Sequence, residues 1–73
     1  MIIITGPQSS DEDRETLADA ASIFNALPAF KVVAQWVAAT VLYCLSGWES
    51  CPRAVADVAI AESFGIAVRH LLA

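Results

Sequence analysis

The side chains able to do chemistry are few, and their spacing excludes more than it selects. Cys44 lies inside an apolar run, Cys51 stands at an expected helix start, and His70 is the single histidine. This set does not match the spacing of a zinc site, so no metal and no cofactor is expected, and His70 has no evident nucleophile beside it. Two cysteines with no secretory leader ahead of them read as free thiols in a reducing cytoplasm. Asp57 follows Arg53 by four residues, the spacing of a helix-surface ion pair worth about 0.2–0.5 kcal/mol. Trp48 and Tyr43, like Trp36, read most economically as core or interface aromatics. Glu49 and Ser50 need do no more than start a helix.

These residues must be positioned by a small number of elements, because 73 residues leave room for one domain, residues 1–73. Ile2-Ile3-Ile4-Thr5 is a continuous β-branched run and predicts a strand buried on both faces, stopped by Gly6-Pro7. Ser9, with Glu12 three residues on, has the form of a capping box. Leu17, Ala20, Ala21, Phe24 and Leu27 then recur at helical spacing until Pro28. Residues 40–45 (TVLYCL) predict a further strand stopped by Ser46-Gly47. Pro52 suits a helix first turn with Ser50 or Cys51 as cap, and Gly65 suits the C-terminal cap. Residues 66–71 predict a last strand near a sheet edge. The segment 29–39 fits either a strand, towards which the Val and Phe residues at its start incline, or a helix. The order is β-α-β-β-α-β.

Composition sets further bounds. Apolar residues make up 58% of the chain and the mean hydropathy is +0.61, both high for a domain this small. The richest stretch, 32–45, is shorter than the ~20 apolar residues of a membrane span. Excess core or a homo-oligomer interface is therefore expected, with no membrane segment. A net charge of −4 argues against direct nucleic-acid binding, which needs a basic surface. Asp11, Glu12, Asp13, Glu15 and Asp19 crowd one segment. They form either a solvated helix start that suits the helix dipole or a DNA-like acidic face for a partner's basic groove.

Two blocks carry a family resemblance. Ile3-Ile4-Thr5-Gly6-Pro7 resembles the strand and Gly-Pro opening of nucleoside 2-deoxyribosyltransferase-like proteins. Residues 42–50, ending Gly47-Trp48-Glu49-Ser50, are similar to the strand and Gly-Trp-acid turn of its small, often phage-borne branch. Residues 53–61 resemble the helix whose Ala-x-x-Glu-x-x-x-Ala pattern carries the family's carboxylate, and residues 64–68 the closing Gly-Ile-x-Val strand. The resemblance implies a flavodoxin-like or Rossmann-like sheet with its site at the carboxyl ends of the strands. It also implies chemistry at an N-glycosidic bond, in which a carboxylate attacks the anomeric carbon or stabilises its oxocarbenium character.

Carried over by position, Asp57 is the catalytic carboxylate and Gly6 and Pro7 shape the pocket floor. Gly47, Trp48, Glu49 and Ser50 line the phosphate or sugar side, and Ser50 with the amides of the helix start could hold an anion. Four features depart from the family. Asp57 replaces glutamate and is shorter by one methylene, a misplacement that can cost about a hundredfold in rate. Thr40 stands where relatives have aspartate, Arg53 where they have glycine, and Cys51 where they have serine. The stretch between the second and third strands is also shortened. Parallel neighbours need a crossover of about a dozen residues. Strands at 30–33 and 40–45 would therefore pair antiparallel or be exchanged between subunits, unless the middle becomes a helix.

Three functions follow as expectations. The chain is an N-glycosidic enzyme, or a nucleoside- or nucleotide-binding protein that has lost turnover. Alternatively it is a small acidic phage-type inhibitor that engages a protein partner on a decayed enzyme scaffold.

Overall fold

The computed structural model describes residues 1–32 and 34–71. Four strands, β1 (Ile2–Thr5), β2 (Leu27–Pro28), β3 (Val41–Cys44) and β4 (Ala67–His70), form one sheet in the order β2-β1-β3-β4. Every pairing is parallel, with Ile3 opposite Leu27 and Leu42, and Leu42 opposite Val68. Helix α1 (Asp11–Ile23) joins β1 to β2, and α2 (Pro52–Ser63) joins β3 to β4. This is a small flavodoxin-like α/β fold, in which the strand order reverses between β1 and β3.

The two crossovers run in opposite directions from the sheet centre, so right-handed connections place the helices on opposite faces. Strand alternation supplies both faces with apolar residues. Ile4 packs with Leu17 and Ala21 of α1, while Ile3, Leu42 and Cys44 share a cluster with Ala61 of α2 and Ile66.

Both helices end in the same way. Behind the C-cap Phe24, Asn25 takes φ +52° and donates to the Ser22 carbonyl at 3.3 Å, and Ala26 donates to Ala21 at 2.8 Å. Behind Phe64, Gly65 takes φ +70° and donates to Glu62 at 3.2 Å, and Ile66 donates to Ala61 at 2.9 Å. Each is a Schellman motif. Gly65 is therefore the C-terminal terminator its sequence position predicts. The first helix stops at Asn25 rather than at Pro28, which sits in β2, and Phe24 and Leu27 fall outside it.

The N-terminal cap of α1 is Ser10, whose hydroxyl accepts from the Asp13 amide at 3.1 Å, one residue beyond the Ser9 cap expected. Ser9 turns instead to the Cys51 sulfur.

The middle segment corrects the sequence reading most. Strand pairing falls at Leu27–Pro28, and the described residues of 29–40 contain two 3-10 turns, Ala29–Lys31 and Gln35–Ala38, instead of a strand or regular helix. Val33, part of the expected strand, lies outside the described residues. The crossover difficulty disappears because β2 and β3 never meet: each flanks β1, and the connection passes over the sheet between them. Ala29, Val32, Trp36 and Ala39 pack it onto the cluster that also holds Ala61. Among the described residues no helix is long and apolar enough to cross a membrane.

Candidate functional site

The loops after β1 and β3 meet at the strand-order reversal. The Leu45 amide donates to the Thr5 carbonyl at 2.8 Å, which carries the β1–β3 ladder past the last strand residues. Gly6 is buried, and a Cβ there would stand 2.8 Å from the Leu45 Cβ, so only glycine lets the two loops approach this closely. Gly47 takes φ +88° and opens the 3-10 turn Trp48–Ser50, and a Cβ on it would meet the Pro7 Cγ at 3.3 Å. Gly6, Pro7 and Gly47 thus form one tight seam.

Asp57 lies below this seam. It is 1% exposed, which rules out the helix-surface reading, although the pairing with Arg53 is present. Oδ2 accepts from the Thr5 hydroxyl at 2.9 Å and from the Gln8 side-chain amide at 3.1 Å, and Oδ1 from Arg53 Nε at 3.4 Å. Gln8 Nε2 also reaches Thr5 Oγ1 at 3.1 Å and the Gly6 carbonyl at 3.3 Å. Those acceptors fix the amide orientation and leave Gln8 Oε1 buried without a partner among the described residues. Arg53 Nη2 extends to the Ala29 carbonyl at 3.4 Å, tying the middle connection to α2. The network satisfies the carboxylate's desolvation demand through three polar partners.

The open cleft lies beside this network. About 200 Å³ of space is lined by residues 44–49, from the end of β3 and its turn, and by His70 and Leu71 from the end of β4. The rings of Trp48 and His70 stack with centroids 5.6 Å apart and 29° between planes. Of the predicted residues, Gly47, Trp48 and Glu49 line the cleft. Ser50 is exposed on the same turn outside the lining, and Gly6, Pro7 and Asp57 also lie outside it.

Cys44 belongs to both regions. Burial, and secondarily the Asp57 charge, push its thiol up to about 11, so the cleft floor carries a neutral S–H. Cys51 is the N-cap of α2 with Pro52 at the first helical position, and its side chain makes no capping bond. Burial raises its thiol, but the Ser9 hydroxyl and the amides of Ala54, Gln8 and Arg53 outweigh that and bring it below the ordinary value.

No protein-family model matches the chain, and no curated protein or solved structure does so. The flavodoxin-like fold stands on the chain's own topology.

Sequence reading missed Thr5, Gln8 and His70. Thr5 had a signal, as the one hydroxyl in a run otherwise read as fully buried, facing the end of a helix that carries Asp57. Gln8 had none, because a polar residue after Gly-Pro reads as solvated loop. Thr40, which the resemblance aligns with an aspartate, sits at the amino end of β3. Its amide and hydroxyl donate to the Met1 carbonyl at 2.8 and 3.1 Å, at the opposite end of the sheet from the cleft.

Proposed function

We propose that the chain is a cytoplasmic nucleoside- or nucleotide-binding protein of the 2-deoxyribosyltransferase-like type that binds without efficient turnover. The observation that carries this reading is the Gly47-Trp48-Glu49 turn, which lines a cleft at the carboxyl ends of a parallel sheet, where open α/β folds take their ligands. Binding is favoured over catalysis by the state of Asp57. A nucleophile must reach an anomeric carbon, whereas this carboxylate is buried, held by Thr5, Gln8 and Arg53, and outside the cleft lining. Free Cys44 and Cys51 fit a reducing compartment. Exposed Ile23, Val37 and Phe64 support a homodimer that covers them.

Equilibrium dialysis against deoxynucleosides and their 5′-monophosphates, with chromatography for free base, tests the reading. Saturable binding with no released base is expected. Base release lost in Asp57→Asn would replace it with an N-glycosidic enzyme. A second reading, an acidic protein-binding inhibitor, is supported by the exposed carboxylates of Asp11, Glu12, Glu15 and Asp19 on α1. It predicts no nucleotide binding and a partner affinity that falls steeply with salt.

A further inference from the structure

The resemblance puts a phosphate or sugar against residues 47–50, but the chemistry of the cleft is wrong for an anion. Glu49 is an acceptor-only carboxylate on the lining, and the charge of Asp57 is felt as far as Cys44 on the floor. What the walls offer is aromatic: Trp48 and His70 stacked at 5.6 Å, from different elements. The indole is half-buried and held by the turn, while His70 is exposed on the edge strand, so the stack is fixed on one side and accessible on the other. The volume, about 200 Å³, is below the ~300–1,000 Å³ typical of drug-sized ligands and suits a single heteroaromatic ring system.

We infer that this cleft takes a planar nitrogen heterocycle bearing an exocyclic amine. The ring extends the Trp48–His70 stack and the amine donates to Glu49. Resting on the nucleotide-binding reading, this assigns the base, rather than the phosphate, to the Gly47-Trp48-Glu49 turn. It also adds His70 as a ligand-contacting residue.

The test uses Trp36→Phe protein, in which Trp48 is the remaining indole, titrated with adenine, hypoxanthine and 2-deoxyribose 5-phosphate. Adenine should quench Trp48 saturably, with an affinity on the order of millimolar for so small a ligand. His70→Ala should weaken it by about tenfold and His70→Phe, which keeps a ring, should retain it. The preference for adenine over hypoxanthine should vanish in Glu49→Gln. Far-UV circular dichroism of each variant separates loss of the stack from loss of fold. No saturable quenching at about 10 mM adenine, an affinity unchanged in His70→Ala, or saturation by the sugar phosphate in preference to adenine would overturn the inference. Dialysis with deoxyadenosine 5′-monophosphate distinguishes the two failures. Equal binding by wild type and His70→Ala leaves the nucleotide reading intact and removes this one, while no binding by either removes both.

Discussion

The two βαβ halves follow one plan and fill one matching buried helix position in opposite ways. In each, a strand runs into a tight turn, then a helix ending in Phe and a Schellman motif, then a parallel neighbour. Leu17 and Asp57 stand the same number of residues before their C-cap phenylalanines, and both are buried, as are Ala21 and Ala61 one turn later. In the first half the position is filled by an aliphatic side chain packed on Ile4. In the second it is filled by a carboxylate, with Thr5, Gln8 and Arg53 arranged around it. The fold therefore has no intrinsic need for charge at this place. A buried carboxylate held by polar partners is weak evidence for stability, since apolar replacements of such a group are often neutral or better.

Truncation breaks the comparison most strongly. Leu17→Ala should cost about 3 kcal/mol in urea unfolding, through lost transfer energy and the cavity left. Asp57→Ala should cost about 2 kcal/mol by a different route, leaving the buried Thr5 hydroxyl without its acceptor. Converting the second half to the logic of the first, with Asp57→Leu, Thr5→Val and Gln8→Leu together, should restore stability to within about 1 kcal/mol of wild type. A triple variant no better than Asp57→Ala would mean that the polar network is itself structural.

The helix ends give a smaller contrast. Gly65→Ala should destabilise by about 1 kcal/mol because an L side chain is strained at φ +70°. Asn25→Gly, at φ +52°, should change stability by only a few tenths of a kcal/mol.

A further contrast, between the two cysteines, is in pH. Cys44 faces Thr5 across the β3–β1 register and keeps its proton in the folded state up to about 11, against about 9 when unfolded. Between those values the unfolded chain has lost the proton that the native state retains. This contribution to stability is thus intact below pH 9 and declines as pH rises towards 11. Urea midpoints at pH 8 and pH 10 should show a fall in wild type that is smaller in Cys44→Val. The Cys51 contribution has the opposite sign: its depressed thiol favours the fold above the ordinary cysteine value and is lost as pH falls through its native one.

Strands and helices were legible where the pattern was local. Ile2–Thr5 is a run of β-branched residues, Gly65 follows the last turn of a helix, and Pro52 opens one, and each signal lies within a few residues of its effect. The middle was not legible, because Phe30, Val32 and Trp36 are apolar for a tertiary reason. They cover the two sides of the sheet from 3-10 turns and carry no period of their own. The candidate site divides in the same way. The Gly-Trp-Glu turn was visible as a motif, but the Asp57 network joins Thr5 and Gln8 to a residue about fifty positions away. The Trp48–His70 stack depends on the β3–β4 pairing that sets the ends of those strands side by side.

The parallel sheet has a kinetic consequence. Among the described residues no two consecutive strands form a hairpin, and β1, which precedes the other three strands, is the inner strand to which both β2 and β3 must attach. Its Ile-Ile-Ile run cannot pair with β2 until α1 and its turn have been made. Collapse must then close long loops before any ladder bond repays them, which slows folding relative to a helical chain of this size. During that interval the uncharged, β-branched run of β1 is exposed without its partner strands.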